Sequence, residues 1–105
     1  MKIYLSGGIT NVKNYDEVFQ AAETLLNTKG MDSKRIYISK SNLEVVNPVK
    51  LPHFHDHSWE AYMKECIITL CDCQMIYMLK GWWKSRGARI EWITAKILKI
   101  EVEYQ

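Results

Sequence analysis

The residues of this chain best equipped for chemistry are gathered in one segment, Gly81-Trp82-Trp83-Lys84-Ser85-Arg86-Gly87-Ala88-Arg89-Ile90-Glu91. A carboxylate can attack or stabilise a developing positive centre. Backbone N–H groups at a helix start can hold an anion or a hydroxyl, and an indole can stack on a flat ring. The set suits a small ligand with a planar ring and a polar, hydroxylated part. Two glycines and a helix-capping serine, Ser85, indicate that the segment is a turn leading into a helix.

The surrounding pattern explains how those residues would be positioned. Met75-Ile76-Tyr77-Met78-Leu79 precedes the segment and reads as a buried strand, so Gly81 to Gly87 falls where a strand hands over to a helix. Residues 2 to 6 form a first strand, broken by Gly7-Gly8. From Asn14, a candidate cap with Glu17 three residues on, the positions Tyr15, Val18, Phe19, Ala22, Leu25 and Leu26 mark one helical face, closed by Gly30. The stretch from Met31 to Asn42 is polar with one apolar patch, Ile36-Tyr37-Ile38, and fits either a long loop or a short extra element. Leu43 to Asn47 reads as a second strand, stopped by Pro48. Ser58 caps a helix marked by Trp59, Tyr62, Met63, Cys66, Ile67 and Leu70. A third strand spans about Cys73 to Leu79, a last helix about Arg86 to Leu98, and a fourth strand Ile100 to Tyr104.

Strand–helix units of this kind predict an α/β chain, a four-stranded parallel sheet with helices on both faces. Right-handed crossovers and a flavodoxin-like start give the spatial order 2-1-3-4. The connections leaving strands one and three then diverge, and a crevice opens between Gly7-Gly8 and the Gly81 to Gly87 loop. Asn47-Pro48 should line its rim.

At 105 residues the chain makes one domain, residues 1–105. A net charge of +2 argues for neither nucleic acid nor an anionic membrane surface as partner. No apolar stretch approaches the roughly 20 residues that span a bilayer, and the amino terminus lacks the features of a secretory signal. Three cysteines, Cys66, Cys71 and Cys73, fit reduced, buried thiols in the cytoplasm rather than a disulfide framework. Their spacing is not that of a zinc site. The run His53-Phe54-His55-Asp56-His57 has the alternation of a chelating strand, but it sits in a loop, and no metal is expected there. Lys34-Arg35 and the Arg86, Arg89 pair read as solvated basic groups, with a ligand phosphate near Arg86 or Arg89 an open alternative.

Three pieces of the sequence together carry a resemblance: Tyr4-Leu5-Ser6-Gly7-Gly8-Ile9-Thr10, Val46-Asn47-Pro48, and Gly81-Trp82 through Ser85-x-Gly87-Ala88-x-x-Glu91. In order and spacing they resemble the nucleoside 2-deoxyribosyltransferase-like proteins, in particular their short bacterial and phage branch. The resemblance implies a flavodoxin-like three-layer sandwich and a homo-oligomer, with no cofactor. It implies cleavage or transfer at the N-glycosidic bond of a nucleoside or nucleotide, with Glu91 as the nucleophile that attacks the anomeric carbon. Gly7, Gly8 and Thr10 would contact the sugar, Ser85 and Gly87 its 5′ side, and Asn47 and Trp82 the base. A carboxylate early in a helix is favoured in its ionised form by roughly 0.3–1 kcal/mol, as a nucleophile requires.

The chain also departs from that family. Relatives carry an acid on the preceding helix and another at the entry to strand three, where this chain has Cys66 and Gln74. Glu65 and Asp72 are one or two positions away. Thr10 stands where the nucleotide hydrolases have an arginine. These departures suit the competing expectation, a nucleotide-binding or sensing module without turnover.

Overall fold

The first strand, β1 (Lys2–Ser6), is buried along both faces beyond Lys2 because it lies in the middle of the sheet. The computed structural model describes residues 1–8, 13–32, 37–50 and 58–105. Thr10, Lys34-Arg35 and the His53 to His57 run lie outside those residues.

From β1 the chain passes to helix α1 (Tyr15–Lys29), then to two short strands, β2 (Met31–Asp32) and β3 (Tyr37–Ile38), and to β4 (Glu44–Val46). Helix α2 (Trp59–Cys71), strand β5 (Met75–Met78), helix α3 (Arg86–Ile97) and strand β6 (Glu101–Tyr104) complete it. The main sheet is parallel throughout, ordered β4-β1-β5-β6. This is the expected 2-1-3-4 order once β2 and β3, which pair antiparallel in a small sheet of their own, are set apart. Tyr37 and Ile38 of the apolar patch thus supply one strand of this extra sheet, and Ile36 lies outside the described residues. Gly30 is what admits that small sheet: its φ is +75°, and a Cβ there would lie 2.4 Å from the carbonyl oxygen of Ile38.

Strand alternation divides the core into two layers. Ile3, Leu5, Met75 and Tyr77 meet Phe19, Ala22 and Leu26 of α1 on one face. Tyr4, Ile76, Met78 and Val102 meet Cys66 and Leu70 of α2 and Ala88 and Ala95 of α3 on the other. The result is a helix–sheet–helix sandwich of the flavodoxin-like kind. Because α1 leaves β1 toward one face and α3 leaves β5 toward the other, the loops after these neighbouring strands part at the carboxyl edge of the sheet. That parting is the physical origin of ligand crevices in open α/β sheets.

Local details correct the sequence reading in three places. Asn14 starts α1 through its backbone carbonyl, which accepts from Val18 N–H at 3.1 Å, and its side chain makes no cap. Leu25 is exposed although it fits the apolar periodicity, and Cys71 is exposed while Cys66 and Cys73 are buried. Among the described residues, no helix is long and apolar enough to cross a membrane.

Candidate functional site

β1 carries two hydroxyls, Tyr4 and Ser6, at positions two apart. Strand geometry sends both to the α3 face of the sheet. There they meet Glu91. Tyr4 Oη donates to Glu91 Oε2 at 2.5 Å, and Ser6 Oγ donates to Oε1 at 2.7 Å. Both carboxylate oxygens are therefore held, and the side chain is only 5% exposed.

Burial dominates the electrostatics of this group. Removing the carboxylate from water pushes its pKa up from 4.5 to about 7, against the opposing effect of the hydrogen bonds from Ser6 and Tyr4. The helix-dipole argument for a fully ionised Glu91 is thus overridden by desolvation, and the group changes charge near neutrality. Burial also drives the Tyr4 phenol well above its ordinary range, followed by the repulsion of the neighbouring Glu91 charge, so it remains a donor. The Cys66 thiol lies within hydrogen-bonding reach of Tyr4 and Tyr62, and burial raises it to about 11. Cys66 is therefore a protonated, inert member of the cluster.

Glu91 lines a cleft of about 1090 Å³ at the carboxyl edge of β1 and β5. Gly7 and Gly8 border it after β1, and Ser85 and Gly87 border it at the start of α3. These four expected residues and Glu91 thus surround one space. Ser85 Oγ also caps α3, accepting from Ala88 N–H at 3.2 Å. The absence of a side chain at Gly7 has a packing reason as well: a Cβ there would come within 3.0 Å of Leu79 Cβ. At Gly87 a Cβ would meet Met63 Sδ at 3.0 Å, so this glycine allows α2 to approach α3.

Two expected base contacts are placed elsewhere. Trp82 does not line the cleft; it stacks on Trp92 with centroids 5.4 Å apart and lies 6.2 Å from Tyr104, in an aromatic layer beside β6. Asn47 is turned inward, its Nδ2 donating to Glu23 at 3.0 Å and its Oδ1 accepting from Val49 N–H at 3.1 Å. Both are held by local structure, Trp82 by ring stacking and Asn47 by a turn that starts at Pro48. Thr10 lies outside the described residues.

In their place the fold brings Trp59, expected in the core or an interface, Arg86, for which a ligand phosphate is the open alternative, and Glu65, one position from the acid of the relatives. Trp59, at the start of α2, lines the cleft, and the Arg86 guanidinium lies 4.3 Å from its ring centroid. Glu65, on α2, also lines it and supplies a second carboxylate. Gln74 and Asp72 do not: Gln74 Oε1 accepts from Lys2 N–H at 2.7 Å and Asp72 pairs with Lys2 Nζ at 2.7 Å, both at the amino end of β1. Tyr4 and Ser6 had a legible signal, two hydroxyls in alternation within an apolar strand. Trp59 and Arg86 are 27 positions apart in sequence, and only tertiary packing joins them.

A buried carboxylate that titrates near neutrality, set between two hydroxyl donors and facing a cleft with aromatic and cationic walls, makes this cleft the candidate small-molecule site of the α/β sandwich. The chain belongs to the family described as domain of unknown function (DUF4406), which matches residues 1–104. No curated protein and no solved structure matches it.

Proposed function

We propose that the cleft takes a nucleoside or nucleotide and that Glu91 cleaves its N-glycosidic bond. The observation that carries this reading is the position of Glu91: a carboxylate at the base of a ligand-sized cleft, oriented by Tyr4 and Ser6. Breaking an N-glycosidic bond builds oxocarbenium-like charge on the sugar, and a carboxylate oxygen can capture it. In the step proposed, a Glu91 oxygen bonds to the anomeric carbon while the bond to the base breaks. The electron pair leaves with the base, which takes up a proton. Water or an acceptor base then releases the sugar from the ester, giving hydrolysis or transfer. Glu65 is the second carboxylate that lines the cleft, and Trp59 is an aromatic surface on which a ring could stack.

A titration near 7 fits this role, because the nucleophilic form accumulates as pH rises through that value. It also favours a second reading. With both oxygens already hydrogen-bonded and a proton held up to neutrality, Glu91 could serve only to bind a sugar hydroxyl, in a module that senses or sequesters a nucleotide. Incubation with each deoxynucleoside and deoxynucleotide, with and without an acceptor base, separates the two. Release or exchange of base by the native protein and its loss in Glu91→Ala supports catalysis. Thermal stabilisation by an unaltered ligand supports the binder, and activity that survives Glu91→Ala rules out the nucleophile.

A further inference from the structure

Two helix starts open into the same cleft. Ser58 and Trp59 of α2 and Ser85 and Arg86 of α3 all line it. Each start has its own serine cap, Ser58 Oγ accepting from Ala61 N–H at 3.1 Å and Ser85 Oγ from Ala88 N–H at 3.2 Å. A cap of this kind satisfies one of the four N–H groups that a helix start leaves without an intrahelical acceptor, so both starts keep a positive end toward the cleft. The two are adjacent: Arg86, the first residue of α3, lies over the ring of Trp59, the first residue of α2.

Side-chain charge has the same focus. Lys80, Lys84, Arg86 and Arg89 line the cleft. Among the described residues, none of them forms a salt bridge with a carboxylate. These four cations share the cleft with two carboxylates, Glu65 and the buried Glu91, in a chain whose net charge is only +2. A guanidinium stacked on an indole has its plane fixed while its N–H fork stays available, the arrangement suited to two oxygens of a phosphate. One phosphoryl group can sit at one helix start and use one or two of these cations. Here there are two starts and four cations.

We infer that the ligand of this cleft carries at least two linked phosphoryl groups, as in a nucleoside diphosphate or a larger phosphoanhydride nucleotide. This rests on the reading of the cleft as a nucleoside site; the phosphate chain would lie along the α2 and α3 starts while the sugar meets Glu91.

The test uses full-length protein carrying Glu91→Gln, titrated calorimetrically with inorganic phosphate, inorganic pyrophosphate, 2′-deoxyadenosine, its 5′-monophosphate and its 5′-diphosphate, then with the same series for the other bases. Pyrophosphate should bind at least about tenfold more tightly than phosphate, and the diphosphate at least about tenfold more tightly than the monophosphate. Arg86→Ala with Arg89→Ala should erase both preferences; Lys80→Ala with Lys84→Ala, at exposed positions, reads the same loss if the first pair does not fold. Equal affinity for mono- and diphosphate, failure of every probe to bind, or a preference that survives both double variants overturns the inference. Base release that ignores phosphate number sinks this inference and leaves the glycosidic reading standing. A clear diphosphate preference without base release from any nucleotide does the reverse.

Discussion

The two ends of β1 each hold a carboxylate, and they treat it in opposite ways. At the amino end Lys2 meets Asp72 at 2.7 Å, with both side chains open to water at 41% and 73% exposure. At the carboxyl end Tyr4 and Ser6 meet Glu91, which is 5% exposed. The hydrogen bond and charge of Asp72 raise the Lys2 ammonium above its ordinary value, but solvent screens such a pair and it adds little stability. Glu91 has neutral hydroxyls for partners, and these do not repay the loss of water around a negative charge. Nearness of a carboxylate to the strand is common to both ends. Desolvation is what moves the titration of Glu91 to near neutrality, and perturbed groups in clefts are candidates for function.

The contrast can be broken most forcefully at Glu91 itself. On the proposed chemistry, Glu91→Ala lowers the rate of base release by roughly 10³-fold or more, measured by chromatography of the free base. Asp72→Ala, by comparison, leaves the rate unchanged.

Glu91→Gln tests the energetic side. The folded group titrates near 7 against an ordinary 4.5, so between those values the folded protein keeps a proton that the unfolded chain has lost. Stability from this group is whole below about pH 4.5 and falls as pH rises to about 7, by on the order of 3 kcal/mol. The Gln variant does not titrate, so its advantage in denaturant melts should be near zero at about pH 4 and largest at about pH 8. A constant difference across pH would show that the buried charge is not what costs stability.

Tyr4→Phe sharpens the same comparison by removing one donor. A hydrogen bond to an ionised group is worth about 1.5–3 kcal/mol. Its loss disfavours the carboxylate, so the acid limb of the pH–rate profile should move to higher pH by roughly one unit or more. A fall in rate with no shift of the limb would assign Tyr4 to packing alone.

Trp82→Ala should lower stability by roughly 2 kcal/mol, less than truncation of a fully buried tryptophan, without altering ligand affinity. Trp59→Ala should weaken binding instead. The smallest effect belongs to the exposed end of β1: Asp72→Asn should move the thermal midpoint too little to measure, with added salt making no difference.

Much of the fold was legible because it rests on local signals. The apolar strands, the helical faces and the serine caps at Ser58 and Ser85 are written in residues a few positions apart, and right-handed connection then orders the sheet. Glu91, Gly7, Gly8, Ser85 and Gly87 could be brought to one edge on topology alone. Trp82 and Asn47 could not be placed that way. Each sits beside the cleft in sequence, but ring stacking with Trp92 and hydrogen bonding to Glu23 turn them from it. Side-chain direction at a loop follows from neighbours that lie far along the chain.

The sequence by itself determined the order of the main-sheet strands and of the three helices, the strand whose loop meets the glycine pair and the single acid of the helix that Ser85 caps, because hydrophobic periodicity and capping act over short separations. Only the tertiary structure decided the state of that acid and its company. Tyr4, Ser6 and Cys66 close around Glu91 from two other elements, and desolvation depends on the whole shell at once. The same is true of the joined starts of α2 and α3, where Arg86 reaches Trp59 across the packed face of two helices.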